Sequence, residues 1–434
     1  MRLLSADWVL PVCRPPLRAG AVLVDGPLVA EVGEAARLAA GHPEAVREHF
    51  EGCVLSPGLV NAHTHLTLSA LAGVVPRRPF AEWLPLLVAA LKPWEIADHE
   101  ASGVIGAEES LRAGVTVVGD IAYGAAEVAS ASRAGLGGVY YWEVLGVEGG
   151  AVESELARLG YPTRPDAFGP RAVCGLSPHS AYTAGPGLQQ AMHAKAAELG
   201  VPLAIHVSES QAETDLLRDG SGPLAGVAGR TARGFTPPRT TTVRYLDAIG
   251  VLSDITAVHL CYLGEGDVDL LGGAARGVVT CPRSNRYLSN PPPDIAPLLA
   301  AGLPVGAGTD SSASNDDLNL MAEVRAIHEA EPDLSADTLV RLATLGGAQA
   351  IGVEERFGSL QEGKQADLAV FSIQAAEDTL DAFVRRAGRD TLRAVMSGGE
   401  WRVRDGRLLT VDPLAAARAT DARRRSLEAL QALG

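Results

Sequence analysis

Short apolar runs punctuate the middle of this chain, and stretches of helical period such as Glu100–Ala113 and Gly187–Glu198 separate them. Eight runs stand out: Gly58–Ala62, Val115–Val118, Val139–Trp142, Val173–Leu176, Leu203–Ile205, Thr256–Val258, Val278–Cys281 and Val305–Ala307. Eight strand–helix units in one large domain predict a closed parallel (β/α)8 barrel, a TIM barrel, in an α/β protein. The competing arrangement is an open doubly wound sheet. The lack of a GxGxxG after the first run weighs against it.

The two ends follow a different pattern. Asp7–Leu10, Gly20–Val24 and Leu28–Val32 read as strands near the start, and Asp367–Phe371, Leu392–Met396 and Glu400–Arg404 near the finish. Asp25-Gly26 and Asp405-Gly406 are hairpin signals. Such strands need a partner layer. The two ends are therefore expected to build one small β-sandwich domain from residues 1–55 and 361–434, with the barrel occupying 56–360. The Ala-, Arg- and Leu-rich tail from Pro413 to about Leu433 predicts a helix. Two connections, Leu66–Trp94 and Gln211–Tyr245, are long for a plain barrel and are candidates for a lid or pocket wall.

Composition narrows the class. With 434 residues, 47% hydrophobic and 21% charged, the chain fits an ordinary globular protein with room for two domains. A net charge of −15 argues against nucleic acid and anionic membranes as partners. Cys13, Cys53, Cys174, Cys261 and Cys281 are scattered, with no CxxC pair, which argues against a disulfide scaffold. The start MRLLSADWVLP lacks a signal peptide's continuous apolar stretch, and no run is long enough to span a bilayer, so a cytoplasmic location is expected. A homodimer is compatible with this composition.

The chemistry concentrates just after the runs. His63 and His65 follow the first; in an extended segment, side chains at i and i+2 point the same way, so both rings can reach one ion. Asp120 follows the second run, Glu143 the third, His179 the fourth, His206 and Glu209 the fifth, His259 the sixth, Arg283 and Asn285 the seventh, and Asp310 the eighth. One rule covers them all: they face the carboxyl end of the barrel, where barrel enzymes do chemistry. His63, His65, His206 and Asp310 supply three nitrogens and one oxygen, a set that suits one divalent metal with a position left for water. Zinc is preferred, with iron(II) and manganese able to use the same donors. No Lys occupies the end of the fourth run, which argues for one metal rather than two.

Each residue also has a plainer reading. Asp310 could cap a helix near Ser311, Glu209 could be a solvent-facing Glu in a first helical turn, and His259 could be a hydrogen-bonded structural histidine. As catalytic groups, Glu209 would carry protons and His259 would orient water or stabilise charge on the attacking oxygen. His179, Arg283, Asn285 and Trp83 are candidate substrate contacts. Arg283 and Asn285 could hold a sugar or a purine edge, or brace their loop.

PGLVNAHTHL, LSPHSAYT, HVSES, VHL, GTDSSASND and GKQADLAVF resemble, in this order, the motifs of the amidohydrolase superfamily, in its cytosine-deaminase-like and chlorohydrolase-like branch. The resemblance covers nearly the full length. It implies that His63, His65, His206 and Asp310 bind one metal, Glu209 protonates a ring nitrogen, His259 helps activate water, and Asp310 accepts a proton from it. The implied reaction is attack on an amino-bearing aromatic carbon with loss of ammonia. HTHLTLSAL followed by PFAEWL, and CPRSNRYLSN with GTDSSASN, more narrowly resemble the bacterial 6-aminodeoxyfutalosine deaminases of menaquinone synthesis. Those usually carry Glu where this chain has Thr67, so deaminases of adenosine, methylthioadenosine or adenosylhomocysteine stay open, as does another C–N or C–Cl hydrolase. A non-catalytic metal-binding protein is the reading from a different class. The expected substrate is a small purine-like molecule.

Overall fold

A computed structural model of the chain describes residues 1–164, 167–232, 235–374 and 378–433. Each of the eight central runs is a strand: Leu59–Thr64, Val115–Ala122, Gly137–Val144, Ala172–Pro178, Leu203–Val207, Ile255–His259, Gly277–Thr280 and Val305–Ala307. They pair in parallel, each with its neighbour in chain order. These strands are almost wholly buried, as expected where helices cover a parallel sheet.

The barrel closes between its last and first strands. The backbone N–H groups of Thr309 and Asp310 both donate to the His63 carbonyl at 3.0 Å. Asn61 donates through Nδ2 to Thr309 Oγ1 at 2.8 Å and accepts from the Thr309 N–H through Oδ1 at 3.0 Å. The seam therefore lies directly beneath His63 and Asp310. Val60, Val117, Val139, Ala204, Val258 and Val279 come from six strands and pack with Ala348, Ile351 and Phe357 in one buried cluster. This is a filled interior with a floor, not a pore.

Both chain ends join one second sheet. Its strands are Arg2–Val9, Leu17–Arg18, Gly20–Asp25, Leu28–Glu34, Val46–Pro57, Leu368–Ser372, Leu392–Ser397, Glu400–Arg404 and Arg407–Leu408. Leu368–Ser372 runs antiparallel to Val46–Pro57, with Leu368 opposite Pro57 and Ser372 opposite Cys53. The far edge curls back on itself: the Val29 N–H donates to the Lys364 carbonyl at 2.8 Å. Leu4, Val22, Val29, Phe50, Leu368 and Met396 meet in one core. Asp405 and Gly406, with φ of 50° and 71°, form the two-residue turn that their types predict. The strand Val46–Pro57 escaped the reading from pattern, because Arg47, Glu48, His49 and Glu51 hide its alternation. It crosses residue 55 and runs almost directly into the first barrel strand.

The long connections are structured. Leu66–Leu71 is a 3-10 turn, Phe80–Leu91 a helix, and Ile96–Arg112 the helix before the second strand. Gln211–Asp219, Ala225–Thr231 and Thr242–Ala248 are helices in the second connection, of which residues 233 and 234 lie outside the described residues. The C-terminal helix Pro413–Gln431 starts at a cap, with Asp412 accepting from the N–H groups of Leu414 and Ala415 at 3.0 Å. It ties down the first connection: Trp94 Nε1 donates to Ser426 Oγ at 2.8 Å, and Arg423 donates to the carbonyls of Ala70 and Ala72. Among the described residues no helix is long and apolar enough to cross a membrane.

Candidate functional site

At the carboxyl mouth of the barrel, His63, His65 and His206 are buried, and one nitrogen of each lies within 4.8 Å of the other two. Asp310 Oδ1 lies 3.4 Å from His65 Nε2 and 3.7 Å from His63 Nε2. The other oxygen, Oδ2, accepts from the hydroxyls of Ser284 at 2.6 Å and Ser314 at 2.9 Å. That leaves Oδ1 turned to the imidazoles. His206 Nδ1 donates to the His179 carbonyl at 2.9 Å, which fixes the tautomer and frees Nε2. His63 Nε2 is buried without a hydrogen-bond partner. Such an orphaned atom calls for an occupant. Three imidazole nitrogens and a carboxylate oxygen around one point fit a divalent cation.

The backbone at this mouth is bent to aim these groups. Ser208, His259, Leu260 and Asp310 all have positive φ, of 52°, 80°, 58° and 56°. Such non-glycine residues cost on the order of 1–3 kcal/mol each and persist only where packing over-determines them. Gly308 makes room for the approach: a Cβ there would lie 2.8 Å from the His63 carbonyl oxygen and 2.9 Å from the His63 nitrogen.

Glu209 is buried rather than solvent-facing. Its Oε1 lies 3.9 Å from His259 Nε2. Burial pushes its pKa well above the ordinary carboxylate value, helped by the nearby charges of Asp310 and Glu213. Glu213 pins the segment, accepting from the N–H groups of Ser208 at 3.0 Å and Glu209 at 2.9 Å and from Thr242 Oγ1 at 2.6 Å. For Asp310, burial alone would raise the pKa; the imidazoles of His63, His65 and His259 around it outweigh burial and hold the group well below the usual range. The two carboxyls are thus pushed apart, one towards the protonated form and one towards the ionised form.

His259 Nδ1 lies 3.0 Å from Asn285 Oδ1. An amide oxygen only accepts, so His259 carries its proton on Nδ1 and presents a lone pair at Nε2. Burial pushes the His259 pKa down to about 4, which keeps the ring neutral. Asn285 is fully buried behind this contact. Arg283 is committed to carboxylates: Nη1 lies 2.6 Å from Asp317 and 3.5 Å from Glu323, and Nη2 lies 3.7 Å from Asp316. Of the two readings of Arg283 and Asn285, a contact to a sugar or purine edge or a brace for their loop, the contacts within the chain match the second. One holds the loop after Asp310 and the other holds His259.

His179 Nδ1 lies 2.9 Å from Ser180 Oγ and 2.7 Å from Thr183 Oγ1, and its ring centroid is 4.8 Å from that of His206. Trp83 is buried on the helix Phe80–Leu91, with Nε1 donating to the Ala313 carbonyl at 3.3 Å. Trp83, Phe80, Tyr182 and His179 form a chain of ring contacts at 6.2, 6.1 and 5.8 Å that joins the first connection to the cluster.

Glu143 stands near the end of the third strand, where the pattern of apolar runs predicts it. The structure buries it, with one carboxyl oxygen and nitrogens of His179 and His206 within 4.8 Å of one another. Burial pushes its pKa up to about 8, with a hydrogen bond from Tyr123 acting against the rise. The signal that could have marked it is the same strand-end rule that marks its neighbours. Ser284, Ser314 and Glu213 carried no such signal, because their roles depend on contacts between separate loops.

The amidohydrolase family model matches residues 54–402 of the chain. Over 378 residues, 81% of this chain and 86% of the relative, the sequence is 35% identical to the aminodeoxyfutalosine deaminase of Deinococcus radiodurans. Over 413 residues, 91% of this chain and 90% of the relative, it is 31% identical to the 5-methylthioadenosine/S-adenosylhomocysteine deaminase of Syntrophobacter fumaroxidans. The crystal structure of an adenosine deaminase from Xanthomonas campestris with bound zinc matches with a TM-score of 0.83, covering 98% of each chain at 25% identity. A closed barrel with a second sheet from both ends, a nitrogen-rich cluster at its mouth and a family match spanning the barrel lead to one conclusion: the chain belongs to the amidohydrolase family.

Proposed function

We propose that this protein is a metal-dependent aminohydrolase that acts at C6 of an adenine-containing, nucleoside-like substrate and releases ammonia. The carrying observation is the buried cluster of His63, His65 and His206, with Asp310 Oδ1 beside it and the buried Glu209 carboxyl 3.9 Å from His259. Glu209 has its pKa raised and Asp310 has its pKa lowered, and both stand beside the imidazole cluster. His63, His65, His206 and Asp310 would hold one divalent ion. Zinc is favoured by the nitrogen and oxygen donors and by the zinc in the adenosine deaminase of the same fold. When bound, the ion supplies Lewis-acid activation of water near neutral pH.

The remaining work falls to the chain. Asp310, held ionised, accepts a proton from the attacking water. His259 presents its Nε2 lone pair to that water and, being neutral, does not repel the ion. Glu209, held protonated, gives its proton to the ring nitrogen next to C6. The added proton draws electrons from the ring as C6 becomes tetrahedral; Asp310 then passes the proton it took to the amino group, which leaves as ammonia, and the new C6 hydroxyl returns a proton to Glu209. Trp83 and Phe80, linked by ring contacts through Tyr182 to His179, bring an apolar side towards the cluster from the first connection.

The 35% identity to an aminodeoxyfutalosine deaminase supports 6-aminodeoxyfutalosine as the substrate, which would place the enzyme in menaquinone synthesis. The test is ammonia release by metal-quantified protein from 6-aminodeoxyfutalosine, adenosine, methylthioadenosine, adenosylhomocysteine, guanine and cytosine. Fastest release from the first is the expected result, with slower release from adenosine. Preferential release from methylthioadenosine or adenosylhomocysteine would reassign the substrate, and silence across the adenine compounds with metal bound would refute the reaction.

A further inference from the structure

Glu143 is the next-to-last residue of the third barrel strand and is buried, yet its Oε1 has no hydrogen-bond partner. Leaving a carboxyl oxygen dry and unpaired is expensive, so this oxygen calls for a partner that the chain itself does not supply among the described residues. Its surroundings say what kind. One carboxyl oxygen of Glu143 and nitrogens of His179 and His206 lie within 4.8 Å of one another, but no direct hydrogen bond joins Glu143 to either ring among the described residues. That spacing takes one small polar atom in between.

A second cation is a poor fit there. His206 has one nitrogen on the His179 carbonyl, so its other nitrogen is already claimed by the cluster with His63 and His65. His179 has Nδ1 against the hydroxyls of Ser180 and Thr183, which leaves Nε2 for an outside group. A carboxyl and an imidazole Nε2 facing one gap suit a group that donates and accepts at once. A hydroxyl does both, whereas an unprotonated purine nitrogen only accepts. The ring contacts of Tyr182 with His179 and of Phe80 with Tyr182 supply an apolar side for a flat or ring-shaped body.

We propose that Glu143, with His179, is a hydroxyl-recognition subsite that reads a sugar hydroxyl of the substrate. This rests on the aminohydrolase reading and deepens it. The subsite selects among adenine compounds by the sugar, while Glu209, His259 and Asp310 act on the base.

The experiment compares kcat/KM of wild type, Glu143→Ala and Glu143→Gln on adenosine, 2′-deoxyadenosine and 3′-deoxyadenosine, with bound metal and melting temperature measured for each protein. For wild type, removing the recognised hydroxyl is expected to lower kcat/KM by about tenfold or more. Glu143→Ala should lose a similar factor on adenosine but less than about threefold on the analogue lacking that hydroxyl, the non-additivity of a direct contact. Glu143→Gln keeps an acceptor and the shape of the side chain, and should fall between the two. Metal content should stay that of wild type. Equal losses on all three nucleosides, or no loss, would overturn the subsite while leaving deamination intact. Wild-type protein that releases ammonia from none of the three would overturn the subsite, and silence on 6-aminodeoxyfutalosine as well, with metal bound, would overturn the reaction with it.

Discussion

Glu209 and His206 stand three residues apart and carry opposite expectations. Glu209→Gln preserves shape and removes the proton, so it should keep its metal and lower kcat by roughly 100-fold or more. Metal analysis with steady-state kinetics checks this, and near-normal turnover would refute the assignment. His206→Ala removes a donor. Its metal dissociation constant should rise by at least about 100-fold, more than loss of a supporting partner usually costs, as measured by chelator competition. Asn285 offers a subtler test. Asn285→Leu frees His259 to change tautomer and should lower kcat by roughly 10- to 100-fold with KM little changed, and Asn285→Asp should recover part of it by restoring an acceptor. At this scale the His63-x-His65 pair was legible because both residues sit on one short segment whose geometry fixes their direction. Arg283 was not legible, because its carboxylate partners Asp316, Asp317 and Glu323 lie 33 to 40 positions away in sequence, and only the fold brings them close. Asn285 and His259 are 26 positions apart and meet for the same reason.

Among elements, the barrel strands were the most readable part of the chain, since burial on both faces makes each a continuous apolar run. Their ends were less so. Strand two continues to Ala122, past the predicted Val118, because Asp120 is buried within it: its Oδ1 accepts from the Leu66 N–H at 2.9 Å. The strand Val46–Pro57 was missed where charged residues interrupt the pattern. The close approach of strand eight to strand one was also invisible in sequence, yet it sets the site. Gly308→Ala would drive a methyl against the His63 backbone, which cannot swing aside as a side-chain tip could. The substitution should cost roughly 1–3 kcal/mol of stability and weaken metal retention as well. Thermal unfolding with and without added zinc checks both effects, and an unchanged melting temperature with full metal content would refute the proposed crowding.

Over the whole molecule, the cluster of buried imidazoles should govern response to acid. Burial pushes His65 down to about 3 and His259 to about 4, and holds His206 well below its usual value. The unfolded chain therefore binds protons on these residues before the folded one does. The metal-free protein should lose stability as pH falls from about 6.5 towards 4, with the contribution fully present above that window. Denaturant titrations across that range check the sign; a flat profile would mean that the rings are not held neutral. A bound ion stabilises only the folded state, so chelation should lower the melting temperature and zinc should restore it. At this scale the joining of the two chain ends into one sheet was anticipated from the return of short strands and Asp-Gly turns near the C-terminus. The strap made by Pro413–Gln431 over the first connection was not, since it depends on Trp94, Ser426 and Arg423 meeting across the surface.

The most direct test of metal-dependent deamination is a titration of metal-free protein with zinc while ammonia release from the best adenine compound is followed. The rate should be negligible without metal, rise in proportion to zinc, and level off at one ion per chain, with Glu209→Gln binding the same single ion and staying slow. Full activity in the metal-free protein, or a rate that begins to rise only beyond the first ion, would contradict it.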